Sequence, residues 1–126
     1  MAKVLLVEDN ASARRLVEFT LQQEGHVVVT ANNGKEGLEK AQVEQPDVIV
    51  MDIMMPQMGG YEACLRLREI PTTAHIPIMI LSAKSQQLDK SFGMMAGADD
   101  YLEKPVDPQV IAEHVKKLVA RGASEN

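Results

Sequence analysis

The chain has 126 residues, which suits one globular domain and is too short for two ordinary ones. Hydrophobic residues make up 45% and charged residues 25%, a composition typical of folded proteins and not of disordered chains. The formal net charge of -5 disfavours direct binding to nucleic acid or to an anionic membrane surface.

The first half of the chain alternates strand-like and helix-like segments. Val4 to Val7 is apolar at every position, as in a parallel strand buried on both faces. A helical segment follows, with Gly25 as its expected stop, and Val27 to Val29 is a shorter strand candidate. The predicted buried face of that helix carries Ala13, Leu16, Val17 and Leu21.

Asn33-Gly34 fits two local structures, a hairpin turn or the start of a helix. Leu38 and Ala41 follow at helical spacing. This spacing favours Asn33 as a helix cap, so we expect a second helix after it.

The second half of the chain repeats the alternation. Val48 to Met51 and Ile76 to Leu81 are apolar runs that predict buried strands, and Asp100 to Leu102 is acidic enough to predict an edge strand. Asp107-Pro108 is a helix start signal, with an acceptor at the cap and a proline in the first turn. Helical spacing recurs in Leu88, Phe92 and Met95 and again in Ile111, Val115 and Leu118.

Strand and helix therefore alternate five times, which indicates an α/β fold. We expect a five-stranded parallel sheet in the order 2-1-3-4-5 with helices on both faces, as in flavodoxin-like doubly wound sheets. This order places the carboxyl ends of the first and third strands side by side, where such sheets bind ligands. We assign residues 1–121 to this single domain and residues 122–126 to a short polar tail, with no output domain.

Five polar residues lie at or just beyond the ends of four predicted strands, and all would meet at one edge of the sheet. They are Glu8 and Asp9 after the first strand, Asp52 after the third, Ser82 after the fourth and Lys104 after the fifth. Each residue alone is typical of a helix cap or a solvated turn. Their shared position predicts a functional site.

The charges of this group indicate its chemistry. Three carboxylates facing one lysine leave a negative excess that favours a divalent cation, and oxygen ligands favour Mg²⁺. With a phosphoryl group present, Asp52 can act as the nucleophile and become an acyl phosphate. Lys104 can then neutralise charge on the phosphoryl oxygens, and Ser82 can donate a hydrogen bond to one of them.

From Lys3 to about Ala120 the sequence resembles the receiver domains of response regulators, in particular the single-domain type similar to chemotaxis regulators. Four strings in the right order and spacing carry this resemblance: VLLVEDN at 4–10, VMDIMMPQMGG at 50–60, ILSA at 80–83 and GADDYLEKP at 97–105.

The resemblance implies that Asp52 accepts a phosphoryl group from a phosphohistidine on a histidine kinase or phosphotransfer protein. It implies that Asp9, Asp52 and the backbone carbonyl of Met54 ligate Mg²⁺, with Glu8 in the outer shell through water.

The resemblance also implies a switch. Ser82 would be the switch hydroxyl, Lys104 the phosphate-binding lysine and Tyr101 the aromatic residue that turns inward, and the Lys104-Pro105 bond would be cis. The face formed by the fourth predicted helix, the fifth strand and the last helix would report the change to a downstream protein. Gly59 departs from the family pattern and weakens the cap of the third helix.

We therefore expect a regulatory phosphoacceptor and not an enzyme, although it would assist its own Mg²⁺-dependent phosphorylation and dephosphorylation. The expected state is a monomer or a weak phosphorylation-dependent dimer. Cys64 is the only cysteine and is expected to be a half-buried core residue. Without a secretory leader or an apolar run of roughly 20 residues, a cytoplasmic protein with no membrane contact is expected.

Three other functions remain as alternatives. A receiver-like module that binds partners without phosphorylation usually lacks one of the acidic residues or the lysine. A haloacid dehalogenase-like phosphatase carries a second aspartate two residues after the nucleophile, where this chain has Met54. A flavodoxin-like flavin carrier needs a Ser-, Thr- and Gly-rich phosphate loop after the first strand, where Glu8-Asp9-Asn10 stands.

Overall fold

A computed structural model describes residues 1–53, 58–83 and 96–124. The metal ligand predicted at Met54 and the helix predicted around Leu88, Phe92 and Met95 lie outside these ranges. The described residues form five strands and four helices: β1 Lys3–Val7, α1 Ala11–Gln23, β2 Val27–Ala31, α2 Gly34–Glu44, β3 Val48–Asp52, α3 Gly60–Glu69, β4 Ile78–Ala83, β5 Asp100–Lys104 and α4 Pro108–Ser124.

The five strands form one parallel sheet in the order β2-β1-β3-β4-β5, which confirms the predicted fold class and strand order. The strands extend further than their predicted runs, because backbone pairing continues with the neighbouring strand. β2 continues to Ala31, and β3 includes Asp52, which pairs with Leu81 of β4. β4 begins at Ile78 and not at the predicted Ile76, whose N–H donates to Thr73 in the preceding turn.

Successive strand residues point to opposite faces of the sheet, so the strands contribute to two hydrophobic layers. α2 and α3 cover one layer, and α1 and α4 cover the other. Cys64 is fully buried in the first layer, deeper than the half-buried position expected for it. The largest strand side chains of the first layer are Leu5, Ile49, Met51, Ile78 and Ile80, and those of the second are Val4, Leu6, Val50, Met79 and Leu81.

Two helix starts agree with their sequence signals. The side chain of Asn33 accepts a hydrogen bond from the backbone N–H of Glu36 at 2.8 Å, which confirms the cap and excludes the hairpin. Asp107 accepts from Gln109 N–H at 2.8 Å ahead of α4. Gly59 precedes α3 without a side-chain cap, as its sequence predicts.

The buried face of α1 differs from its prediction at one residue. Val17 and Leu21 are buried together with Thr20, whereas Leu16 is 56% exposed. One residue turns a helix by about 100°. Leu16 therefore lies to one side of the stripe centred on Val17, and its assignment to the buried face is wrong. None of the helices within the described ranges has the length and apolar character to cross a membrane.

Candidate functional site

The carboxyl ends of β1, β3, β4 and β5 form one edge of the sheet and carry the candidate residues. Asp52 is the last residue of β3 and Lys104 the last of β5, while Glu8 and Asp9 directly follow β1. Ser82 lies one residue before the end of β4 and pairs in register with a β5 residue. Parallel pairing fixes this arrangement, because all strand ends of one direction meet at the same edge.

Three carboxylates cluster at this edge. One side-chain oxygen each from Glu8, Asp9 and Asp52 lies within 4.8 Å of the others. Glu8 is 3% and Asp52 6% exposed, whereas Asp9 is exposed. The cluster is therefore buried on one side and open on the other, and it offers only oxygen donors.

Lys104 brings the single positive charge found within hydrogen-bond distance of these carboxylates in the described part of the chain. Its Nζ donates to Glu8 Oε1 and to Asp52 Oδ2, each at 3.0 Å. Burial opposes the charged ammonium, but the hydrogen bonds and charges of Asp52 and Glu8 outweigh burial and raise the pKa of Lys104. The lysine is therefore a cation throughout the physiological range.

Glu8 carries the largest electrostatic perturbation of the site. Its pKa is raised from 4.5 to about 7, mainly by burial and in addition by the hydrogen bond and the charge of the nearby Asp52 carboxylate. The hydrogen bonds from Lys104 and from the Asn10 N–H act in the opposite direction without cancelling these effects. Negative charge is thus in excess at the site, and a proton or a divalent cation relieves it.

Two residues outside the predicted site set hold Glu8 in place. Asn10 donates its N–H to Glu8 Oε2 at 3.2 Å, and its side chain caps α1 by accepting from Ala13 N–H at 2.9 Å. Arg14, one turn into α1, donates to the backbone carbonyl of Glu8 at 3.0 Å. An asparagine before a helical pattern is a readable cap signal. The role of Arg14 has no such signal, because it depends on where the helix starts.

The two predicted switch residues lie at different depths. Ser82 is fully buried near the end of β4. Tyr101 is half-buried in β5 and packs against the layer covered by α2 and α3. The Lys104-Pro105 bond is cis. The geometry thus brings Glu8, Asp9, Asp52 and Lys104 into one site and places Ser82 at the same sheet edge.

A hard divalent cation such as Mg²⁺ fits this donor set, because the ligand atoms are carboxylate oxygens and the site holds three acidic groups against one lysine. A flavodoxin-like sheet with an acidic cluster and a lysine at its carboxyl edge defines the class as an α/β receiver-type domain.

The chain belongs to the response regulator receiver domain family, whose family model matches residues 4–116. This confirms the resemblance inferred from the four sequence strings.

Curated relatives include the protein PilH of Pseudomonas aeruginosa, which is 38% identical over 95% of this chain and 99% of its own length. The alkaline phosphatase synthesis transcriptional regulatory protein PhoP of Bacillus subtilis is 40% identical over 94% of this chain. The match covers only 49% of PhoP, so the chain spans about half the length of this and several other curated relatives.

Solved structures agree with this membership. The chemotaxis protein CheY4 of Vibrio cholerae superposes with a TM-score of 0.87 at 37% identity, covering 94% of this chain and 98% of CheY4. The receiver domain of the sensor histidine kinase PA1611 of Pseudomonas aeruginosa has a TM-score of 0.87 at 28% identity over the same shares of the two chains. That structure contains a magnesium ion coordinated in its active-site cleft.

Proposed function

We propose that this chain is a phosphoacceptor switch in which Asp52 accepts a phosphoryl group from the phosphohistidine of a histidine kinase or phosphotransfer protein. The observation that carries the proposal is the grouping of Glu8, Asp9 and Asp52 within 4.8 Å, with the Lys104 ammonium 3.0 Å from Asp52. Membership of the receiver domain family supports it.

In this proposal Asp9 and Asp52 hold Mg²⁺ together with the backbone carbonyl of Met54, and Glu8 acts through water. The ion, when bound, stabilises negative charge on the transferring phosphoryl oxygens. The exposed rim at Asp9 provides access, and the PA1611 receiver with its coordinated magnesium ion is a precedent within the fold.

The side chains of the site have separate tasks during transfer. A carboxylate oxygen of Asp52 attacks phosphorus, the P–N bond to the partner's imidazole breaks, and the imidazole leaves with the bonding electron pair. Asp52 thereby becomes an acyl phosphate. Lys104, already hydrogen-bonded to Asp52, exchanges that contact for a phosphoryl oxygen and neutralises part of its charge.

The switch follows from the new acceptors on Asp52. The Ser82 hydroxyl donates to a phosphoryl oxygen, the end of β4 moves inward, and Tyr101 turns inward in response. The signal then reaches the face formed by the fourth predicted helix, β5 and α4, where a downstream protein binds. The contact of His114 on α4 with Asp100 on β5 at 2.5 Å ties two of these elements together.

A groove beside the site suits the phosphodonor protein. It has a volume of about 410 Å³ and is lined by residues of α1 and the start of α4 together with Glu8 and Lys104. Apolar side chains line the rest of it, including the exposed Leu16. A protein that delivers a phosphoryl group to Asp52 must cover the surface next to it, and burying this apolar surface stabilises that complex.

The test is phosphorylation by acetyl phosphate, followed by intact mass with and without Mg²⁺. We expect one phosphoryl group per chain, dependent on Mg²⁺ and absent in Asp52→Asn. Asp47→Asn is the matched control, because Asp47 directly precedes the other end of β3 and is exposed. No Mg²⁺-dependent adduct, or an adduct that persists in Asp52→Asn, would overturn the proposal and favour the phosphorylation-independent binding module.

A further inference from the structure

The first residue of α2 lies against Met58, just before the start of α3. Gly34 donates its backbone N–H to the carbonyl of Met58 at 3.1 Å. A first-turn N–H of a helix has no partner inside the helix, so the Met58 carbonyl satisfies it. The start of α2 is therefore joined directly to Met58, which lies two residues before the start of α3.

This contact requires a residue without a side chain. A Cβ at position 34 would lie 2.1 Å from the Met58 carbonyl oxygen and 2.9 Å from its carbonyl carbon. Both neighbouring atoms belong to the backbone, so no rotation of a side chain relieves the overlap. The approach of Met58, and not an unusual backbone angle, is the reason that glycine is required here.

Gly60, two residues after Met58, is anchored beside Asp52. Gly60 donates its N–H to Ile53 at 3.0 Å, and Ile53 donates to Leu81 of β4 at 3.0 Å. A Cβ at Gly60 would lie 2.7 Å from the carbonyl oxygen of Asp52. Backbone contacts therefore run continuously from the start of α2, through Met58 and Gly60, to the phosphoacceptor strand.

We propose that Gly34 is a positioning residue for the Mg²⁺-assisted phosphorylation of Asp52. Its bare α-carbon lets the Met58 carbonyl reach the start of α2, and this contact holds Met58 and Gly60 in place against Ile53 and the Asp52 carbonyl at the end of β3. The inference rests on the proposed function, because it names a residue that acts through the backbone next to that site.

The variant that tests it is Gly34→Ala. Alanine is the better helix former by roughly 0.5–1 kcal/mol, so any loss arises from the contact with Met58 and not from helix propensity. Displacing groups that orient metal ligands typically costs about 10–100-fold in metal affinity. We expect the Mg²⁺ dissociation constant, measured by amide NMR titration, to rise roughly tenfold, at the lower end of that range.

Phosphorylation provides the second readout. The half-saturating Mg²⁺ concentration for acetyl phosphate labelling of Gly34→Ala should rise in parallel, with a smaller change in the rate at saturating Mg²⁺. Ala41→Gly is the control for stability, because it weakens the same helix two turns away in the buried core. In Ala41→Gly, the Mg²⁺ dissociation constant and the half-saturating Mg²⁺ concentration should stay within about twofold of the wild-type values, since loss of helix stability alone does not move a metal ligand.

A measurement on the wild type keeps the test valid if Gly34→Ala does not fold. If the Gly34–Met58 contact favours Mg²⁺ binding, then Mg²⁺ binding must stabilise that contact to the same extent. Mg²⁺ should therefore slow hydrogen exchange of the Gly34 amide more than that of the Ala41 amide. Equal slowing at both amides, or unchanged Mg²⁺ constants in a folded Gly34→Ala, would overturn the inference. Wild type that fails to be phosphorylated would instead overturn the proposed function.

Discussion

Replacing Glu8 by glutamine should remove a pH dependence from the stability of the metal-free protein. Burial and Asp52 raise the pKa of Glu8 from 4.5 to about 7, so the folded protein holds this proton more tightly than the unfolded chain. The stabilising contribution is complete below pH 4.5 and is lost as the pH rises through about 7. Glutamine resembles the protonated side chain at every pH and carries no such loss.

The size of this pH dependence follows from the difference between the ordinary and the shifted pKa of Glu8. At about 1.4 kcal/mol per pH unit, the range from 4.5 to about 7 gives an upper limit of roughly 3 to 4 kcal/mol in the free energy of unfolding. Asp9 leaves the site open to solvent on one side. Solvent screening should reduce the observed difference between pH 5.5 and pH 8.5 to about 1–2 kcal/mol.

The assay is urea unfolding followed by circular dichroism in EDTA, at several values between pH 5.5 and pH 8.5. Wild type and Glu8→Gln are compared at each pH, because folding also shifts the pKa of His26. Burial lowers the pKa of His26, so its contribution rises with pH and cancels in the difference between the two proteins.

Glu36→Gln is the matched control. Burial opposes the charged form of Glu36, but Lys40 and Asn32 outweigh burial and lower its pKa. Its stabilising contribution is present above its ordinary pKa and is lost only at lower pH, so its removal should leave the slope above pH 5.5 unchanged. A Glu8→Gln protein with the same slope as wild type would refute our account of the site.

Three further predictions concern single contacts. Lys104→Met should lower the free energy of unfolding in EDTA by roughly 2 kcal/mol at pH 8 and by less at pH 6, where Glu8 holds a proton. An equal loss at both pH values in urea unfolding would contradict this pH dependence. Asn33→Ala should cost about 1 kcal/mol in thermal melts and Asn33→Asp much less, because only alanine removes the cap acceptor. Arg68 donates to three backbone carbonyls and contacts Asp99 at 2.7 Å. Arg68→Met should therefore lower the free energy of unfolding by about 3 kcal/mol in urea unfolding. A loss below about 0.5 kcal/mol would show that these contacts stabilise the fold little.

Local sequence signals were sufficient to predict most of the fold. Continuous apolar runs mark strands buried on both faces, and the helix caps at Asn33 and Asp107 depend only on neighbouring residues. The errors have a common cause. Leu16 is exposed and β4 begins at Ile78, because packing against α4 and hydrogen bonds of the preceding turn decide these details, and neither is local to the sequence pattern.

The sequence by itself determined which residues reach the site. A strand's last residues project at the carboxyl edge of a parallel sheet, so the identity and order of the strands place Asp9, Asp52 and Lys104 together. Only the tertiary structure decided how these groups interact. Lys104 contacts Glu8 across 96 residues of sequence, the pKa of Glu8 depends on burial and on the distance to Asp52, and Gly34 is needed because Met58 approaches it. These effects depend on distances and burial through space, which exist only once the chain has folded.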